Sequence, residues 1–404
     1  MRISTGTIFD LGVAAINQQQ AALSQTQQQI ATGRRVATPA DDPIAASQVL
    51  VVGQAQSLNQ QYITNQATAK HLLAQSDSVL GQVGDLLQDV RVSIINAGNP
   101  TLTDQDRATL ATDLQGKYSQ LLGLANSTDG SGGYLFSGFQ GSTRPFAQTA
   151  ASVVYNGDEG QRLIQASGSR QLPVSENGAN IFQRVKTGNG VFSPAPLASP
   201  SNTGSGIIDG GQVITPSALT GHSYQISFTV AGGVTTYDVV DTTTSATLST
   251  VNAYTAGSAI AFDGIQMAIQ GVPASGDSFT VSPSTNQSVF DTIQQLITVL
   301  QTPAGTTASK ATLGNGLNAS LQNIDQAISK ALTVRTAVGS RERELDALTS
   351  ASEDADTQYQ AELSQLQDTD YTKAISDLTR QKTTLDAAQQ SFIKVTGHSL
   401  FDYL

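Results

Sequence analysis

The sequence contains no cysteine and no tryptophan, and only 13% of its 404 residues are charged. Without cysteine there are no disulfides, no thiol nucleophiles and no thiolate metal sites, although the compartment stays open. No apolar run approaches the roughly 20 residues that a membrane span needs. Arg2 is followed by Ser, Thr, Gly and Asp10 rather than a continuous apolar stretch, so a secretory signal peptide is not expected. Lys and Arg total 21 against 32 Asp and Glu, which excludes a sequence-independent nucleic-acid binder and disfavours anionic membranes. The histidines, His71, His222 and His398, are far apart and form no HExxH or nucleophile motif. Neither metal nor cofactor is expected, and nothing points to an enzyme.

What is present is mostly Gln, Ser, Thr, Ala and Gly between apolar residues set at regular intervals. Phe9, Ile16, Leu23 and Ile30 recur every seven residues, with Val13 between the first two. Tyr371, Ile375, Leu378, Leu385 and Phe392 step by three, four and seven. Both patterns are narrow seams of coiled-coil type, which bury little until another helix covers them. The partner would be another chain or the helix at the opposite end; an ordinary amphipathic helix inside its own domain is the plainer alternative. Both terminal segments are nearly charge-balanced, so self-association through them meets little long-range repulsion.

In chain order, a helix is expected over about Thr7–Thr32, with Gly33 as its stop. Asp42 before Pro43 is a helix-start signal, since the carboxylate can cap free N–H groups and proline loses nothing at the first helical position. Asp41 and Asp42 could suggest a metal site, but with no histidine nearby capping is the simpler reading. A helical apolar period runs from Pro43 to Ala97, some 80 Å of helix at about 1.5 Å per residue, and Gly98-Asn99-Pro100 ends it. Thr103 to Asp106 has capping-box spacing and opens a further helix to about Asn126. The glycine-rich run Asp129–Gly141 lacks Gly-Lys-Ser/Thr and follows a helix, so it reads as a turn packed with Tyr134, Phe136 and Phe139 rather than a phosphate loop.

From about Pro145 to Ser284 the pattern is β. Tyr224, Ile226, Phe228 and Val230 alternate with polar residues, and Asp263-Gly264 and Asn156-Gly157 carry hairpin-turn signatures. Gly, Ser and Pro clusters over 193–211 suggest a linker between two small β modules. The Thr-rich run after Asp241 reads as a polar loop. Helix returns at Ser288, whose spacing to Asp291 again suits a capping box, and after Pro303 a long run extends from about Leu313 to Leu366. Arg341–Glu344 and the acids around Glu353 read as its solvated face. Asp368-Thr369-Asp370 breaks and recaps it.

The expected class is therefore α+β: a long antiparallel helical stem formed by the N- and C-terminal parts, with a β-rich outer domain inserted between them. The divisions are 1–42, an assembly helix and turn; 43–144, stem helices; 145–286, the β-rich region; 287–367, returning stem helices; and 368–404, a C-terminal assembly helix.

Several of these residues also carry a family resemblance. Ile30–Pro43, with Arg34, Arg35, Asp41 and Asp42, resembles the segment by which bacterial flagellins and flagellin-like proteins pass from first to second helix. Gly132–Gly138, Leu366–Leu378 and the ending Ser399–Leu404, with Leu400, Phe401 and Leu404, are similar to the third hook-associated proteins of the hook–filament junction. The likeness covers roughly 1–145 and 285–404. It implies a structural adaptor of the bacterial flagellum, outside the cell, exported by the flagellar type III apparatus without a cleaved signal peptide. It also implies self-association in a junction layer, the first hook-associated protein and flagellin as neighbours, and a cytosolic export chaperone on the C-terminal segment. Flagellin itself, or a surface adhesin whose β region binds glycans, are the alternative readings.

Overall fold

In a computed structural model, the structure describes residues 5–149, 152–198 and 201–397. It has an α+β fold in which helices from both ends of the chain flank a central β-rich region. The chain forms two compact units, Met1–Asn65 with Ala347–Leu404, and Gln66–Asp346. The terminal unit contains α1 (Thr5–Thr32), α6 (Tyr371–Gly397), and parts of α2 (Pro43–Ala97) and α5 (Thr307–Gln367). The boundaries of the two units fall inside α2 and α5, not at the helix ends.

In the middle unit, α2 buries Leu73, Leu80, Leu87 and Ile94 at seven-residue steps, interleaved with Ala69, Ser76, Val83, Val90 and Ala97 at the same step. Helix α5 does likewise with Leu317, Ile324, Ala331, Val338 and Leu345. Such a repeat holds one stripe of each helix against a neighbour. Ion pairs cross between them: Arg335 makes a fork to Asp77 at 2.9 and 3.1 Å, and Arg91 lies 2.7 Å from Asp325. Being largely exposed, these set antiparallel register more than stability.

Helix α3 (Asp104–Ala125) opens with a complete capping box, Thr103 and Asp106 each accepting the other's backbone N–H. It packs on α4 (Val289–Gln301). At α4 the expected box is replaced by a simple cap: the Ser288 hydroxyl accepts the Phe290 N–H, one residue before Asp291, at 3.2 Å. Above them sits an aromatic cluster, with Phe182 5.3 Å from Phe146 and 6.0 Å from Phe290 between ring centres, and Tyr118 edge-on to Phe290. Phe136 from the glycine-rich turn joins it. Phe139 does not: it is exposed and lies over Gly160.

The β region begins with two hairpins, β1 (Phe146–Gln148) with β2 (Val153–Tyr155), and β3 (Leu163–Ser167) with β4 (Arg170–Pro173). Asn156-Gly157 is therefore not a hairpin turn. Strand β2 pairs back onto β1, and the Gly157 backbone lies so close to the Tyr155 hydroxyl that a Cβ there would sit 2.4 Å from it.

Short strand β5 (Val185–Lys186) pairs with β15 (Asn286–Gln287). A five-stranded sheet then runs in the order β11-β10-β9-β14-β6, from Ala246–Ala253, Val234–Asp241, Tyr224–Ala231, Ser278–Pro283 and Phe192–Pro196. Against it lie β12 (Ala259–Phe262), β13 (Ile265–Gln270), β7 (Ile207–Ile208) and β8 (Gln212–Val213). The sheets share one core, including Ile226, Phe228, Met267 and Phe279. Asp263 and Gly264, both at positive φ, turn β12 into β13, as the Asp-Gly pair demands.

Residues 193–211 are thus not a linker. They supply β6 to one sheet and β7 to the other, and Asp277 fixes the intervening turn through the N–H groups of Thr203 and Gly204 at 2.8 and 3.0 Å. Asparagines of α5 tie this layer down. Asn315 accepts from Ile208 N at 2.9 Å and donates to Gly206 O at 3.0 Å, and Asn323 accepts from Gly188 N at 2.8 Å. Arg341 and Glu344 are likewise not a solvated face: Arg341 pairs with buried Glu176, and Glu344 receives a fork from Arg170 at 2.5 and 2.9 Å. A charged run at the right register serves as a docking strip, which composition alone does not reveal.

Candidate assembly interface

The candidate site is the terminal unit. Helices α1 and α6 run antiparallel, with Phe9 and Phe392 in contact at 5.1 Å between ring centres. Gly12 permits that approach, since a Cβ there would lie 2.7 Å from the Phe392 ring. Val13, Ile16, Leu23 and Ile30 are half-buried along α1. On α6 the inward positions are Ala374, Leu378, Gln381, Leu385, Ala388 and Phe392, an alternation of four and three residues.

Tyr371 and Ile375, which the sequence places in the seam, are more than half exposed. The period that seats Leu385 and Phe392 reaches Ala374 at that end, and Ile375 is then rotated by about 100° on the helix. Size misled there: the seam takes the small residue. Leu400, Phe401 and Leu404 lie outside the described residues.

At the other end of this pair, the two helix breaks are bonded to each other. Gly33, at φ +71°, ends α1. Arg35 N donates to Gln367 O at 2.7 Å and Thr369 N to Gly33 O at 2.9 Å. The Arg35 guanidinium spans both breaks, donating to Leu366 O at 2.7 Å and to Asp42 Oδ2 at 3.1 Å.

Asp42 also caps α2 through Ala45 N at 3.0 Å, and Asp370 caps α6 through Lys373 N at 3.1 Å. Asp41 gathers the Thr38 N–H at 2.8 Å, the Thr38 hydroxyl at 3.0 Å and the Ala37 N–H at 3.2 Å. The Thr38 N–H foremost holds the Asp41 carboxyl below the usual range, and the Ala45 N–H followed by Arg35 does the same for Asp42. Arg34 takes part through its backbone, bridging Asp368. These residues therefore act first inside the chain, as caps and a clasp. Among the described residues no His, Asp, Glu or Cys group is placed to hold a metal ion.

The apolar residues of this unit are poorly covered. Among the described residues its well-buried hydrophobic side chains are Ala45, Val52, Ala374 and Leu385, and its buried layers also contain Thr26, Asn59 and Ser352. Asn59 donates to Ser352 O at 2.7 Å, joining α2 to α5. A polar group at a seam position fixes register at a cost in stability. On α6, Gln381 Oε1 is buried without a hydrogen-bond partner among the described residues. Meanwhile Leu11, Ile44, Leu50, Val51, Leu58, Tyr371, Ile375 and Ile393 stay exposed. Of the α2 residues in that set, the apolar period read from sequence includes Leu58, which is open rather than buried, but not Ile44, Leu50 or Val51; a search for a second seven-residue repeat beside the buried one finds Ile44 and Val51.

A nearly neutral helix pair drawn from the two chain ends, thinly buried and carrying further exposed apolar residues, is the pattern of a flagellin-like protein. Residues 3–141 match the bacterial flagellin N-terminal helical region, and residues 197–283 match the D2-like domain of flagellar hook-associated protein 1. The flagellar hook-associated protein 3 of Escherichia coli K12 is 29% identical over 402 residues, covering 99% of both chains. Crystal structures of the hook-associated protein 3 of Legionella pneumophila and of FlgL of Xanthomonas campestris are each 31% identical to it. The first covers 79% of this chain and 98% of its own, at TM-score 0.76, and the second 78% and 99%, at TM-score 0.71. The chain belongs to the flagellar hook-associated protein 3 family.

Proposed function

We propose that this chain is a structural adaptor that joins the flagellar hook to the filament, assembling into a layer through its terminal helices. The observation that carries the reading is the terminal unit itself: α1 and α6 close on each other and are clasped by Arg35, yet leave apolar residues open. A unit with that surface gains burial when copies and neighbours cover it, at about 25 cal/mol per Å² of apolar area.

In this reading 1–42 and 368–404 are the assembly segments. The first hook-associated protein lies on the hook side, flagellin on the filament side, and a cytosolic chaperone holds the C-terminal segment before type III export. The protein then works outside the cell and has no catalytic task. No helix among the described residues is long and apolar enough to cross a membrane.

The test is a strain lacking this chain, complemented with the full chain or with a chain lacking 370–404. The full chain restores filaments attached to hooks, and the truncation leaves bare hooks with filament subunits in the medium. Normal filament attachment by the truncated chain overturns the reading.

A further inference from the structure

Helix α2 carries two parallel stripes in the terminal unit. Ala45, Val52 and Asn59 are buried, with Asn59 bonded to α5. One residue earlier in each heptad stand Ile44, Val51 and Leu58, with 73%, 68% and 47% of their surface exposed. Three large apolar residues at strict seven-residue spacing extend roughly 21 Å along the helix, a pattern that fits another helix rather than an irregular ligand. The surroundings narrow the partner. No charged residue lies between Asp10 and Arg34 or between Asp42 and Lys70, in a chain of net charge −11. The face lacks the Lys and Arg that a membrane surface or an acidic partner calls for. It equally lacks charges that would oppose burial under an apolar helix face of a second copy.

We propose that the Ile44–Val51–Leu58 stripe is the lateral contact between copies of this chain, covered by a terminal helix of a second copy. The α1–α6 seam, which closes within one chain, is then not the contact between copies. This rests on the adaptor reading and names its partner. Such a copy has helix faces to offer: Tyr371 and Ile375 stand one turn apart on α6, and Ile393 lies five turns beyond Ile375, all exposed. A contact between unlike surfaces of identical chains builds the ring or open helix that a junction layer requires.

Val51→p-benzoylphenylalanine, incorporated during synthesis of the chain, places a photocrosslinker within the stripe before assembly, at a position exposed in the free chain. Illumination of isolated flagella that carry this variant then captures whatever covers residue 51. The expected product has twice the mass of the chain and yields peptides of this chain only. A crosslink to any other flagellar protein, or no crosslink while the chain is present on the flagella, overturns the stripe assignment and leaves the adaptor reading standing. Absence of the unmodified full chain from flagella overturns both. As an independent measure, Val51→Glu should leave the melting temperature of the free chain unchanged. It should lower the amount of chain on flagella by at least about tenfold, since an unpaired carboxylate would be buried against the apolar helix of the next copy at every repeat. Wild-type occupancy by that variant contradicts the proposal.

Discussion

The two units use the same device, a seven-residue repeat on paired helices, with opposite results. In the middle unit the repeat positions hold Leu73, Leu80, Leu87 and Ile94 against Ile324, Val338 and Leu345, and an aromatic cluster and a two-sheet β core adjoin it. In the terminal unit the corresponding positions hold Ala45, Val52 and Asn59, with Ser352 across from Asn59. Helix periodicity is kept while side-chain volume is withheld. Burial scales with that volume, so the middle unit stands on its own contacts whereas the terminal unit is held by a thin seam, caps and one guanidinium. The contrast separates a unit with a filled core from one that leaves large apolar side chains exposed.

The comparison breaks most sharply at Phe290. Truncation to Ala removes a fully buried ring from the aromatic cluster and should cost about 3–5 kcal/mol, read as a lower denaturation midpoint of the middle unit. A loss under about 1 kcal/mol would mean that cluster is not the strong point. Leu385→Ala should cost less, about 2 kcal/mol, at the low end for buried leucines because the seam is narrow. Its effect should be confined to faster proteolysis of α6, with the main unfolding transition unmoved.

Arg35→Ala removes the bonds to Leu366 O and Asp42. At about 1 kcal/mol for an exposed group, it should raise amide exchange at Thr369 and Lys373 and leave α3 and α4 unchanged. The smallest effect is with pH. The folded carboxyls of Asp41 and Asp42 titrate below their unfolded values. The stability they contribute is therefore present above the unfolded carboxylate range, near about 3.9, and is lost as pH falls through the lower folded values.

In the middle unit, burial works against Asp241, yet bonds led by the Thr244 hydroxyl and His222 bring it down to about 2. Amide shifts of Thr38 and Ala45 should accordingly move below the usual carboxylate range but before that of Thr244, which holds until about pH 2. Simultaneous movement of all three would erase the distinction.

Local chemistry was readable in the sequence. Asp42-Pro43, Thr103–Asp106, Asp263-Gly264 and Asp370 do what capping and turn rules require of them, because each is settled by neighbours within a few residues. What needed the whole chain was not readable. Asn156-Gly157 has the right dipeptide, but β2 had already paired with β1. Residues 193–211 have linker composition, but cross from one sheet to the other. Arg341 and Glu344 look solvated until Glu176 and Arg170 arrive from far away in sequence. In the site, Phe9, Leu385 and Phe392 were visible because they are large and in register. Ala374 was hidden by the larger Ile375 beside it; Ile44 and Val51 were hidden, and Leu58 was read as part of an ordinary apolar face, because an open stripe carries the same sequence pattern as a buried one.

Amide hydrogen exchange on the free full-length chain tests the contrast most directly. The amides of α1 and α6 should exchange at least about a hundredfold faster than those of α3, α4 and the middle of α5, corresponding to an opening free energy lower by about 2.7 kcal/mol or more. Equal protection across the two units would contradict the account, because the terminal helices would then already be complete without a neighbour.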